Sequence, residues 1–211
     1  MNITKYEHAC FVVEDQGQKL VVDPGKFSES FNDFTGITAV VITHVHADHF
    51  DSEKVHAIAA ANPDAQIFST RQVAEAAADL HITVVEPGTS VTVGAFTLEF
   101  FGGLHAEVYR SIPRDQNVGV LINSGLYYPG DSFVEPGKPV QVLALPSSGP
   151  WLKVAESLDF LAAIKPKFAF PTHDTYLSER GAVLVNTRLQ AMAESFGGTY
   201  RVLQPGETLA L

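Results

Sequence analysis

Short apolar stretches, alternating or continuous, recur along most of the chain between Gly, Pro, Asn and Asp. This is the pattern of many short strands with a few helices between them. Residues 8–13 and 19–22 flank the polar segment Glu14-Asp15-Gln16-Gly17-Gln18 and read as a hairpin, ended by Asp23-Pro24-Gly25. Residues 37–43 (ITAVVIT) are an unbroken, largely β-branched run, which predicts a strand buried on both faces. Further strands are expected at 66–69, 83–85, 91–93, 96–101, 119–123, 126–128, 140–145 and 168–170.

Helical signals fall between them. Asp51 or Ser52 can cap a helix through about residue 61, with Glu53 in its first turn. An Ala-rich helix is expected at 70–79, and another at 154–164, ending before Pro166. The clearest is 178–196: Ser178 is a fair cap, and Ala182, Val185, Leu189, Met192, Ala193 and Phe196 form one apolar stripe. Gly197-Gly198 then stops it. Strands followed by helices in each half imply two sheets packed face to face under helical layers. No repeat, low-complexity tract or linker divides the chain, so residues 1–211 are expected to form a single domain.

Composition narrows the partners. With 45% hydrophobic and 18% charged residues, general disorder is excluded. The 14 Lys and Arg against 24 Asp and Glu give a net charge of −10, with no basic cluster. Such a field repels nucleic-acid backbones and anionic membranes, so neither is an expected partner. A lone cysteine, Cys10, rules out an internal disulfide and a multi-cysteine zinc site. The first residues lack a signal-peptide apolar core, and no run approaches the roughly 18 residues of a membrane helix. The expected location is the cytoplasm.

The eight histidines are distributed unevenly, and the pattern is informative. His44-Val45-His46-Ala47-Asp48-His49 follows the buried run at 37–43, placing four imidazole or carboxylate donors at a strand end. In an extended segment His44 and His46 point the same way. A turn is then needed for Asp48 and His49 to face a second position beside the first. Three more strand ends carry donors of the same kind: His105 after Gly102-Gly103-Leu104, Asp131 in Tyr128-Pro129-Gly130-Asp131, and His173 in Pro171-Thr172-His173-Asp174. Imidazole with carboxylate suits zinc, iron or manganese.

In this order, HxHxDH and then His, Asp and His, the sequence resembles the metallo-β-lactamase fold superfamily. The resemblance implies an α/β (α+β) fold, a four-layer αββα sandwich, with two divalent metal ions at one edge. Zinc is the first expectation, with manganese or iron as alternatives. It further implies that His44, His46 and His105 hold one ion, that Asp48, His49 and His173 hold the other, and that Asp131 bridges them. Asp131 stands where some zinc β-lactamases carry a cysteine, and His46 where diiron flavoprotein-type members carry an acid. Tyr6-Glu7-His8-Ala9-Cys10, Asp23-Pro24, Pro129-Gly130-Asp131-Ser132 and Pro150-Trp151 are similar to small zinc-dependent hydrolases related to the ascorbate-phosphate lactonase group.

The implied activity is hydrolysis of a small ester, lactone, thioester or phosphoester by water activated between the two ions, with Asp48 and Asp131 catalytic. His8 and Asp23 are candidates to support the ligands. Tyr109, Arg110, Arg114 and Trp151 are candidates to meet the substrate, whose carboxylate or phosphate an arginine could receive. His56 and His81 are expected to face solvent, and Cys10 to be a small buried hydrophobe. The alternatives are a phosphodiesterase or nuclease of the same fold, a mononuclear iron oxygenase, and a non-catalytic metal-holding scaffold. Oligomeric state is not encoded in any of these signals.

Overall fold

In the computed structural model, which describes residues 1–211, β1 (Asn2–Lys5), β2 (Phe11–Asp15) and β3 (Gln18–Val22) pair antiparallel in chain order. Gln16 and Gly17 both take positive φ, 49° and 77°, the turn geometry that matches the twist of the strands they join. β4 (Ile37–Ile42) joins β3 in parallel. After α1 (Ser52–Ala61) comes β5 (Gln66–Ser69), and after α2 (Arg71–Ala76) comes β6 (Ile82–Val84), both again parallel.

The second half repeats this plan. β7 (Ser90–Val93), β8 (Phe96–Leu104), β9 (Gln116–Ile122) and β10 (Leu126–Tyr128) are antiparallel. β11 (Val142–Pro146), α3 (Val154–Ile164), β12 (Phe168–Thr172), α4 (Glu179–Ser195) and β13 (Thr199–Tyr200) follow, with the strands parallel. β14 (Thr208–Ala210) crosses back to pair with β1. The sheets therefore run β14-β1-β2-β3-β4-β5-β6 and β13-β12-β11-β10-β9-β8-β7.

The two inner faces meet in one apolar layer that includes Phe11, Leu20, Phe100, Tyr128 and Phe170. On the outer face of the first sheet Val40 and Ile42 share a cluster with Val55 and Ile58 of α1; on the second, Leu143 and Leu145 share one with Phe160, Leu161 and Leu189 of α3 and α4. This is the expected αββα sandwich. Truncating an inner residue such as Phe100 to Ala removes a buried ring, at a cost of about 3–5 kcal/mol.

Local chemistry sets the helix ends. Asp51 accepts from the Glu53 N–H at 3.1 Å, and Ser178 from the Gly181 N–H at 3.2 Å. Pro166 disfavours helical backbone at Lys165, which takes φ 49° and ends α3. Three expectations need correction. The first strand of the predicted hairpin begins at Phe11, because Tyr6–Cys10 close a turn with Tyr6 N–H on the Cys10 carbonyl and His8 at φ 58°. β8 runs on through Gly102 and Gly103, whose positive φ still lets them pair with Val118 and Asn117. The helix expected at 70–79 is α2 alone, with Thr70 as its cap.

Candidate metal centre

β4 ends at the sheet interface, where the Val118 N–H donates to the Thr43 carbonyl at 3.0 Å. The chain then reverses: the N–H groups of His49 and Phe50 both donate to the His46 carbonyl, at 3.0 and 2.8 Å. This is the turn that Asp48 and His49 require. Its backbone lies against Gly25, where an added Cβ would stand 2.0 Å from the Asp48 carbonyl oxygen. The glycine of Asp23-Pro24-Gly25 is thus needed for this close approach.

The structure brings all seven predicted donors together in two groups. In the first, His44 Nε2 lies 3.1 Å from His46 Nδ1, and His105 Nε2 lies 3.2 Å from Asp131 Oδ2. The second contains Asp48, His49 and His173, joined by His8. Asp131 stands between them: Oδ2 is 2.9 Å from His173 Nε2 and 3.8 Å from His44 Nε2, and Oδ1 is 3.2 Å from His49 Nε2.

The far nitrogens explain the aim of the near ones. His49 Nδ1–H donates to Asp23 Oδ2 at 2.7 Å. His44 Nδ1–H donates to Thr43 Oγ1 at 3.0 Å, and that hydroxyl donates to Asp23 Oδ2 at 2.7 Å. His46 Nε2–H donates to Asp115 Oδ2 at 3.0 Å, and His105 Nδ1–H to the Ala106 carbonyl at 2.6 Å. Each bond fixes a tautomer whose lone pair faces the centre. Asp23 is fully buried, and also accepts from the Tyr128 hydroxyl at 3.0 Å and the Thr43 N–H at 2.7 Å.

Without a metal the cluster is charged. Burial opposes the proton on His49, but the Asp131 and Asp23 carboxylates raise its pKa well above the usual imidazole value. Burial likewise opposes the proton on His173, but Asp131 and Asp48 push it up to about 9. Asp131 and Asp48 resist burial and sit well below the carboxylate range: His49 and His173 hold the first ionised, and hydrogen bonds from His173 and His8 the second. Burial, reinforced by the charges of His173 and His49, lowers His8 to about 4, so its imidazole is neutral.

A metal fits these residues. His49 Nε2 and Asp131 Oδ1 are buried and face each other at 3.2 Å, and neither makes a well-formed hydrogen bond although both point into the donor cluster. Imidazole and carboxylate groups crowded this closely around a common centre are what a divalent ion satisfies once the imidazoles give up their protons.

Among the remaining candidates, Trp151 is buried and stands beside both groups, 5.5 Å from the His105 ring and 5.6 Å from the His173 ring. Arg114 turns inward, its Nε–H donating to the His105 carbonyl at 2.6 Å. Tyr109 and Arg110 are exposed and lie over one another at 5.8 Å. His56 pairs at the surface with Asp79 at 2.8 Å, His81 is exposed, and Cys10 is buried, as expected.

Sequence reasoning missed several contributors, among them Asp115, Tyr176 and Thr43. Asp115 orients His46 and is itself held by Gln72 Nε2–H at 2.9 Å. Tyr176, half exposed, donates its hydroxyl to Asp48 Oδ2 at 3.2 Å. Thr43 supports His44. Only Thr43, immediately before the HxHxDH segment, carried a local signal.

Two mixed sheets under helices with a His/Asp cluster at one edge define the metallo-β-lactamase class of hydrolases. A family model described as "Beta-lactamase superfamily domain" matches residues 2–173, and the chain belongs to that family. It is 32% identical over 197 residues to Protein Rv0786c of Mycobacterium tuberculosis, covering 91% of this chain and 92% of that one. It is 25% identical over 234 residues, covering all of both chains, to a UPF0173 metal-dependent hydrolase of Carboxydothermus hydrogenoformans. Among solved structures, the metallo hydrolase Igni18 of Ignicoccus hospitalis superposes with a TM-score of 0.75 at 18% identity, covering 99% of this chain and 97% of that one. The metallo-β-lactamase fold protein YhfI of Bacillus subtilis gives 0.75 at 15%, covering 99% and 98%. At those identities the likeness concerns the fold.

Proposed function

We propose that this hydrolase holds two divalent ions, zinc foremost, and cleaves a small ester, lactone, thioester or phosphoester. The observation that carries the reading is the convergence of seven donor side chains in two adjoining buried groups with Asp131 between them. His44, His46 and His105 would hold one ion, Asp48, His49 and His173 the other, and Asp131 both. When bound, two such ions lower the pKa of water from 15.7 to about 7 and polarise a substrate oxygen.

The chain supplies the rest. Asp23, Thr43 and Asp115 keep the imidazoles aimed, so that little reorganisation is needed during reaction. Asp48 Oδ2 lies at the open side, within reach of the Tyr176 hydroxyl, and would accept the proton of the attacking water and return it to the leaving group. Trp151 walls the His105 side, while Phe27 and Tyr176, 5.7 Å apart, form an aromatic rim on the other. Arg110, exposed five residues after His105, is the candidate to receive an anionic group of the substrate. The net charge of −10 supports a small molecule over nucleic acid. The single buried cysteine suits a reducing compartment such as cytoplasm. A site drawn from both sheets favours one folding unit over residues 1–211.

The test is elemental analysis of the purified protein, then a screen of ester, lactone, thioester and phosphodiester substrates with and without chelator. Two metal equivalents and chelator-sensitive turnover are expected, with Asp131→Ala losing at least one equivalent and the activity. A metal-replete protein inert across the screen would overturn the reading.

A further inference from the structure

His8 is assigned to neither ion in the proposed ligand set, yet its surroundings resemble those of a ligand. It is fully buried on the turn between β1 and β2, at φ 58°, in the left-handed region that only a few per cent of non-glycine residues occupy, histidine more often than most. Such backbone strain, about 1–3 kcal/mol, persists where surrounding contacts impose it and clusters at functional sites. Three contacts impose it here. The His8 carbonyl accepts from Lys5 Nζ at 2.8 Å and from the N–H of His173 at 3.2 Å, and Nδ1 pairs with Thr175 Oγ1 at 2.7 Å. The backbone of His8 is thus fastened directly to that of His173, and one ring nitrogen is tied to a hydroxyl, as in His44.

The other nitrogen faces the second group. His8 Nε2 lies 3.0 Å from Asp48 Oδ2, and that oxygen lies 3.4 Å from His173 Nε2. The donor atoms of His8, Asp48, His49 and His173 all fall within 4.8 Å of one another. Bonds of about 2.0–2.2 Å to a common ion place adjacent donors roughly 3 Å apart, which matches the 3.0 and 3.4 Å pairs, while His49 Nε2 stands 3.9 Å from Asp48 Oδ2. A hydrogen bond to Asp48 alone would account for the first distance, but not for the convergence of the same nitrogen with His49 and His173.

We infer that His8 Nε2 is a direct ligand of the second metal ion. The inference rests on the two-ion reading. It makes the positions unequal: five protein donors at the second, with Asp131 included, against four at the first. Five mixed nitrogen and oxygen donors plus one open place suit a six-coordinate ion such as Mn2+ or Fe2+ better than four-coordinate zinc.

Two measurements test it. In zinc-loaded protein, long-range 1H–15N spectra of the histidine rings should show His8 Nε2 without a proton and shifted by metal; a protonated Nε2 overturns the inference. In equilibrium dialysis with Mn2+ alone, wild type should take up two equivalents. His8→Gly, which accepts the positive φ, and His8→Gln, which can still donate to Asp48, should both weaken the second by more than about 100-fold and leave the first within threefold. Outer-sphere partners typically contribute about 10–100-fold. A His8→Gln protein that loses less than 100-fold therefore overturns the inference. Circular dichroism of the metal-free variants checks that they fold. Wild type failing to bind a second ion would sink the two-ion reading itself. Hydrolytic inactivity with normal metal titrations would sink only the proposed reaction.

Discussion

Replacing Asp23 by Asn changes one oxygen to a nitrogen at the point on which most of the metal-site scaffold hangs. The backbone tolerates it: φ is 44°, and Asn enters the left-handed region about as readily as Asp. The hydrogen bonding does not. Oδ2 accepts from Thr43 Oγ1, His49 Nδ1 and Tyr128 OH, at 2.7, 2.7 and 3.0 Å, and Oδ1 from the Thr43 N–H at 2.7 Å. The best amide orientation keeps its oxygen on the three side-chain donors and turns its NH2 toward the Thr43 N–H. One buried backbone donor is then orphaned, at about 1–3 kcal/mol. The other three bonds lose their ionic partner, and charge-assisted bonds are roughly twice as strong as neutral ones. Together these give a loss of about 2–4 kcal/mol, read by urea unfolding of the metal-free protein. His49 is also held less firmly by the neutral amide oxygen, so the second ion should bind about 10–100-fold more weakly in a chelator competition. A variant within about 0.5 kcal/mol of wild type, with metal affinity within threefold, would refute this account of the scaffold.

Asp115→Ala should weaken the first ion by about 10–100-fold through His46, while stability moves by less than about 1 kcal/mol because that pair is partly exposed; the same titration and unfolding curves decide it. Gly25→Ala should displace the His44–His49 loop, since a Cβ there meets the Asp48 backbone, and paired dialysis and melting should show metal uptake and stability falling together. Metal binding at pH 7 should release about two protons, from His49 and His173, into weakly buffered indicator solution, and affinity should climb as pH rises to about 9. In the metal-free protein the sign is opposite. The pKa of His173, near 9, exceeds its unfolded value of 6.5, so its contribution is complete below 6.5 and disappears as pH rises through 9, visible as a falling melting temperature.

How much of the site is legible in the sequence depends on how far apart the interacting partners lie. HxHxDH is local, and its position directly after ITAVVIT marks it as a strand-end loop from the hydrophobic pattern alone. His105, Asp131 and His173 are legible because each follows an apolar run. Asp23 and Trp151 stand out beside Pro residues and lie at the centre. Asp115 does not, because its bond to His46 spans 69 positions and its own segment, Arg114-Asp115-Gln116, is ordinary polar loop. Tyr176 is hidden likewise: its partner Asp48 lies 128 positions away. β13 and β14 escape notice because two- and three-residue strands have too few side chains to show alternation.

Those long-range bonds are also why the site and the sheet interface are one physical problem. The first sheet contributes His44 through His49 and Asp23; the second contributes His105, Asp131, His173 and the Tyr128 hydroxyl that reaches Asp23. The links that register the sheets at this edge are the Val118–Thr43 backbone bond and the reciprocal pairing of Gln72 with Gln116, each backbone N–H on the other's side-chain oxygen. Apolar burial between the sheets is nondirectional and would tolerate a small slide. Hydrogen bonds and converging donors would not, because a displacement of about 1 Å separates lone pairs from a shared centre. The core therefore supplies the driving force, while the polar edge selects the one docking of the sheets in which all seven donors meet.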